Sequence, residues 1–144
     1  MTLKKVLVLI AATLVALLPA TAASAAPALK PANVGITGMW LGTSQGYENG
    51  AFKSTEVRYT ITAVDGVFLT GTKSWLMKSG TWSEPESFQG VLYKTGAFYA
   101  ADHDGYLIGE LVSPTKIRAT YLEAGDDEAA LVTVLTKASR SKVG

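Results

Sequence analysis

The chain has 144 residues, with 13 basic and 12 acidic side chains, one His and no Cys. That length suits one domain. The balanced charge excludes the basic stripe of a nucleic-acid binder. The missing Cys excludes a disulfide scaffold, a thiolate metal site and a cysteine nucleophile, and a single His excludes a multi-histidine zinc centre.

Residues 1–25 have the layout of a secretory signal. Lys4 and Lys5 lead, residues 6–18 are uncharged and almost wholly apolar, Pro19 ends the run, and Ala23-Ser24-Ala25 supplies small residues for cleavage. An apolar helix of that length reaches about 20 Å, short of a membrane core of about 30 Å. The expected product is an exported, periplasmic or extracellular protein that begins near Ala26. Residues 26–33, with Pro27 and Pro31, read as an extended lead-in. Residues 34–138 read as the folded domain, and residues 139–144 as a disordered tail.

From residue 34 onward the apolar pattern has period two. In residues 57–63, Val57, Tyr59, Ile61 and Ala63 alternate with Arg58, Thr60 and Thr62, as a half-buried strand requires. In residues 115–122, Ile117, Ala119 and Tyr121 oppose Lys116, Arg118 and Thr120. Asn49-Gly50, Asp65-Gly66 and Asp104-Gly105 are hairpin dipeptides. Thr95-Gly96 and Ser113-Pro114 are weaker breaks, and Gly125-Asp126-Asp127 is a polar loop. The predicted strands are 34–47, 54–64, 67–77, 87–94, 97–102, 106–112, 115–123 and 129–138. Eight short strands with short links predict an all-β fold, an eight-stranded antiparallel up-and-down β-barrel. An open two-sheet sandwich is the alternative.

Alternating strand direction sorts the links into two ends. One end receives the tight breaks at residues 65–66, 95–96 and 113–114. The other receives the Gly-rich region around Asn49, the long loop 78–87, the turn 102–105 and the loop 124–128. Nine of the twelve acids fall at this looser end, where Lys78 is the one base in the loops. Such a rim would draw a cationic ligand or a basic protein surface.

Gly35-Ile36-Thr37-Gly38-Met39-Trp40 and residues 60–72 (TITAVDGVFLTGT) resemble the first strand and second hairpin of the calycin barrels, avidins above all. The resemblance covers residues 34–41 and 60–72. It implies a closed barrel with Trp40 plugging its floor. The avidin ligand set does not carry over: Gly42 and Gly46 stand at two of its biotin-binding positions, Lys73 replaces a Tyr, and no Trp follows Trp82. Tight biotin binding is therefore not expected.

Catalysis has no positive signal, because only His103 is available to activate a hydroxyl. His103 lies between Asp102 and Asp104, which reads as a solvated hairpin turn. The Asp-x-Asp-Gly there lacks the later oxygen donors of a calcium loop, so no metal and no cofactor is expected. The aromatics are more informative. Tyr59, Trp75, Trp82 and Tyr121 offer flat faces of the kind that line barrel mouths, and they are the candidate ligand contacts. Apolar residues on both faces of 106–112 and 129–138 point to a homo-oligomer. The expected protein is a non-catalytic binder of a small molecule or peptide. The alternatives are a protein-binding module, such as a secreted enzyme inhibitor that inserts residues 26–33, and a small outer-membrane barrel.

Overall fold

The computed structural model describes residues 35–139. The signal-like leader, the lead-in and the tail from residue 140 lie outside the described residues. The fold is all-β, with eight strands: β1 (Gly38–Glu48), β2 (Ala51–Asp65), β3 (Phe68–Trp75), β4 (Glu86–Leu92), β5 (Ala97–Ala101), β6 (Gly105–Ser113), β7 (Lys116–Glu123) and β8 (Ala129–Lys137). Each pairs antiparallel with the next, and β8 pairs with β1, so the sheet closes into an up-and-down barrel. Closure leaves no free edge to template aggregation.

Alternation decides which side chains fill the barrel. On β2, Val57, Tyr59 and Ile61 are buried and their neighbours face out. On β8, Leu131, Thr133 and Leu135 are buried while Val132 and Val134 face out. Trp40 is fully buried in one cluster with Ile36, Phe98, Ile117 and Leu135. Its indole Nε1 donates to Ile36 O at 2.8 Å, which satisfies its one donor without water. Lys137 Nζ lies 5.7 Å from the Trp40 ring and also donates to Gly35 O. Residues 35–37 and Lys137 thus wrap the indole at the closed end.

Gly42 and Gly46 have a structural role at the seam. A Cβ on Gly42 would sit 1.8 Å from Val134 O, and one on Gly46 would sit 2.1 Å from Ala130 O. These two glycines let β1 approach the backbone of β8 closely enough to shut the barrel.

The two ends differ less in loop length than the sequence suggests. The region around Asn49 is a tight turn: Glu48 pairs with Ala51, and Asn49 and Gly50 take φ of 52° and 72°. Both central residues are left-handed, which matches the twist of the flanking strands. β2 consequently starts at Ala51, ahead of the expected residue 54. The chain after β3 also folds back on itself. Met77 N donates to Thr81 O, Ser83 N donates to Trp75 O, and Leu76 pairs with Trp82.

Candidate functional site

The upper barrel opens into a cavity of about 1050 Å³. Parity along each strand supplies its inner wall. On β3 the inward series runs Leu69, Gly71, Lys73, Trp75. On β7 it runs Ile117, Ala119, Tyr121, Glu123. On β5 it runs Phe98 and Ala100 and continues past the strand to Asp102. The β5 and β7 series end at the mouth on a carboxylate, and the β3 series places Lys73 just below Trp75.

Lys73 is the hub of the site. Its Nζ lies 2.7 Å from Asp102 Oδ2 and 3.2 Å from Glu86 Oε2, and donates to Tyr121 Oη at 3.1 Å. It also sits 4.4 Å from the Tyr121 ring centre and 5.8 Å from that of Trp75. The side chains of Lys73 and Asp102 are 9% and 5% exposed, so the pair is withdrawn from water. Asp102 Oδ1 accepts from the backbone N–H groups of Asp104 and Gly105, which fixes the carboxylate at the head of the β5–β6 turn. Tyr121 Oη has one proton to give, with Glu123 Oε2 at 3.3 Å and Asp102 Oδ1 at 3.4 Å as acceptors. Deeper in the barrel, the Ser44 and Thr133 hydroxyls satisfy each other at 2.6 Å.

The network sets the charge states. Burial alone would lower the pKa of Lys73, but the hydrogen bond and charge of Asp102 outweigh it and hold the ammonium above its ordinary range. Burial likewise opposes charge on Asp102, yet Lys73 and the Gly105 N–H hold its carboxyl below its ordinary value. The Tyr59 and Tyr121 phenols are pushed up, in each case chiefly by burial. Glu123 is raised by burial and by the Asp104 charge, against the hydrogen bond from Tyr121. Glu86 Oε2 is buried and, although within ion-pair distance of Lys73, has no aligned hydrogen-bond partner.

Of the four aromatics expected to meet a ligand, the structure brings three together. Tyr59, Trp75 and Tyr121 line the cavity, with Tyr59 packed on Phe88 at 5.7 Å between ring centres. Trp82 is elsewhere. The hairpin-like return after β3 lays its ring on the Arg58 guanidinium, 4.6 Å away, against the outer wall. Arg58 Nε in turn donates to Ser74 Oγ. A cation–π contact with a residue on the outer face holds Trp82 away from the opening. His103 is exposed in the β5–β6 turn. Among the described residues, no group of three His, Asp or Glu side chains is placed to hold a metal ion.

Sequence reasoning missed Lys73, Asp102, Glu86 and Glu123 as a group. The signal was available in the parity of each strand. Lys73 shares a face with Leu69, Asp102 with Phe98, Glu86 with Phe88, and Glu123 with Tyr121.

No protein-family model matches the chain, and no curated protein matches it. Among solved structures, a redesigned β-barrel is similar, with 14% identity and a TM-score of 0.53 over 72% of this chain and 91% of that one. At this identity the likeness is one of fold alone.

Proposed function

We propose that this is an exported, non-catalytic binding protein whose open end takes a small molecule or peptide segment carrying an organic cation. One observation carries the reading. The mouth cavity joins four aromatic residues, Phe52, Tyr59, Trp75 and Tyr121, to six residues that carry carboxylates, Glu48, Glu56, Glu86, Asp104, Glu123 and Asp127, against three lysines. Aromatic faces and carboxylates both attract an ammonium or guanidinium. Glu86 lines the cavity with a side chain 32% exposed, which puts its carboxylate within reach of such a group. Export rests on the signal-like leader. The resemblance of residues 34–41 and 60–72 to avidin-type barrels supports a mouth site, while Gly42, Gly46 and Lys73 favour a ligand other than biotin.

Two features weigh against a barrel that spans a membrane. β5 has five residues, against about nine to eleven needed to cross. The outer wall also carries the exposed Glu110–Arg118 pair. The inhibitor reading rests on residues 26–33, outside the described residues.

The test is Trp fluorescence during titration with ammonium and guanidinium compounds, each beside a neutral analogue of the same shape. Cations should quench, neutral analogues should not. Trp75→Phe should abolish the response, Trp82→Phe should keep it, and Glu86→Gln should weaken binding about tenfold, the loss of one charge-assisted contact. Equal binding of neutral analogues, or no response to any cation, would refute the reading.

A further inference from the structure

The outer wall of the barrel is uneven. On β2, β3 and β4 its outward side chains are mostly polar, with Arg58, Thr60, Thr70, Thr72, Ser87 and Gln89, and the exposed Val64 and Phe68 stand apart at the floor end. On β6, β7, β8 and β1 the mouth end is apolar. Register places Tyr106 opposite Leu122, Leu122 opposite Ala130, Ala130 opposite Tyr47, and Tyr47 opposite Phe52. One apolar rung therefore crosses from β6 to the start of β2 without a break. Tyr106, Tyr47 and Phe52 are 63%, 62% and 64% exposed, even though Tyr47 and Phe52 already meet edge to face. The next rung carries Tyr99, Ile108, Thr120, Val132 and the polar Gln45, and the one beyond it Glu110, Arg118, Val134 and Thr43, so within these rungs β1 adds apolar surface only at Tyr47.

The size of this patch selects its partner. Aromatic side chains each present about 150–250 Å², so the exposed parts of these rings with the flanking Ile, Leu and Val come to roughly 700 Å². A solitary barrel normally leaves no more than about 300–600 Å² in one patch, while a standard interface buries about 800 Å² on each partner. The face also carries its own complement. Arg118 and Glu110 have side chains 63% and 52% exposed and lie side by side, with Arg118 donating to Glu110 at 2.6 Å. A two-fold axis passing between these two residues would set Arg118 of one copy against Glu110 of the other, which is the self-complementarity an isologous contact requires. A groove of about 570 Å³, bordered by Ile108, Glu110, Arg118, Thr120 and Val132, supplies relief for side chains of the second copy.

We propose that the outer face of β6, β7, β8 and β1 seats a second copy of this chain in a two-fold dimer, by face-to-face sheet packing. It does not rest on the mouth network, although Phe52 at the rim also borders the mouth cavity.

The experiment is mass determination by light scattering and sedimentation on the protein expressed from its full sequence, across a concentration series. The wild-type mass should be that of two chains. Val132→Glu and Tyr106→Glu, both outward, should halve it while leaving the circular dichroism spectrum unchanged. Thr72→Glu, on the opposite wall, should leave it double. Glu110→Arg alone should also halve it by setting like charges together, and adding Arg118→Glu should restore the double mass. A single-chain mass throughout the series would overturn the proposal, and so would a double mass that survives Val132→Glu. A single-chain mass that co-sediments with phosphatidylcholine vesicles would overturn it in favour of a lipid surface.

Discussion

The floor and the mouth of this barrel are built from the same strands by the same rule, yet they are different materials. At the floor the inward positions hold Ile36, Trp40, Phe98, Ile117 and Leu135, all but sealed from water. At the mouth the inward series of β3, β4, β5 and β7 hold Lys73, Glu86, Asp102 and Glu123. Apolar burial at the floor is a direct source of stability. A buried ion pair at the mouth roughly breaks even, because desolvation offsets the attraction. The lower half therefore supplies the free energy that lets the upper half keep charges and an opening. Mutations should separate the two halves by size and by kind of effect.

The largest effect should come from the floor. Trp40→Ala empties a fully buried site and leaves Ile36 O without its donor. We expect a loss of about 4 kcal/mol, read from urea denaturation. A loss below about 1 kcal/mol would mean that the indole is not the stopper of the barrel. At the mouth, Lys73→Met should cost about 3 kcal/mol, because it leaves Asp102 buried and unpaired. Asp102→Asn placed on top should recover part of that loss, whereas no second change of this kind exists for Trp40. The seam should respond less. Gly42→Ala forces a Cβ against Val134 O and should cost about 2 kcal/mol. Amide exchange should then quicken along the β1–β8 pairing before it does elsewhere.

Floor and mouth also differ in how much of each could be read from the sequence. The floor was legible because Trp40 lies in a recognisable Gly-x-Trp opening and alternation is clean in Val57–Tyr59–Ile61 and Ile117–Ala119–Tyr121. The mouth was legible only in its aromatic part. Lys73 stands where the avidin resemblance implies a Tyr, and its parity with Leu69 puts it inside. Charged residues are usually read as solvent-facing, and alternation overrides that habit when the barrel is wide enough to shelter a pair. Trp82 was misplaced for the opposite reason. The loop 78–87 lies at the looser end, which makes Trp82 a candidate ligand contact, but local pairing of Leu76 with Trp82 and the Arg58 face direct it outward. Nothing in the sequence marks Arg58 as its receptor. Asn49-Gly50 is a hairpin dipeptide at the looser end, and its two left-handed residues make it among the tightest turns in the barrel.

The smallest effect tests the electrostatics of the mouth. Asp102 is held below its ordinary 3.8, so its contribution is present above that value and is lost as pH falls through its lower folded pKa. Lys73 is held above its ordinary 10.5, so its contribution is complete below that value and is lost as pH rises through its higher folded pKa. Glu123 runs the other way. Its folded pKa lies above the ordinary 4.5, so its charge costs the fold at neutral pH, and protonation on acidification relieves that cost before the unfolded chain takes up its own proton. The urea midpoint should therefore rise slightly as pH falls toward 4.5 and then drop below 3.8 as Asp102 is neutralised. Glu123→Gln should abolish the rise and keep the drop, and Asp102→Asn should diminish the drop. The same carboxylate links stability to binding. A cation in the mouth favours ionised Glu123, so its affinity should fall with pH through that raised pKa, and Glu123→Gln should flatten the dependence. An affinity independent of pH over this window would place the cation away from Glu123.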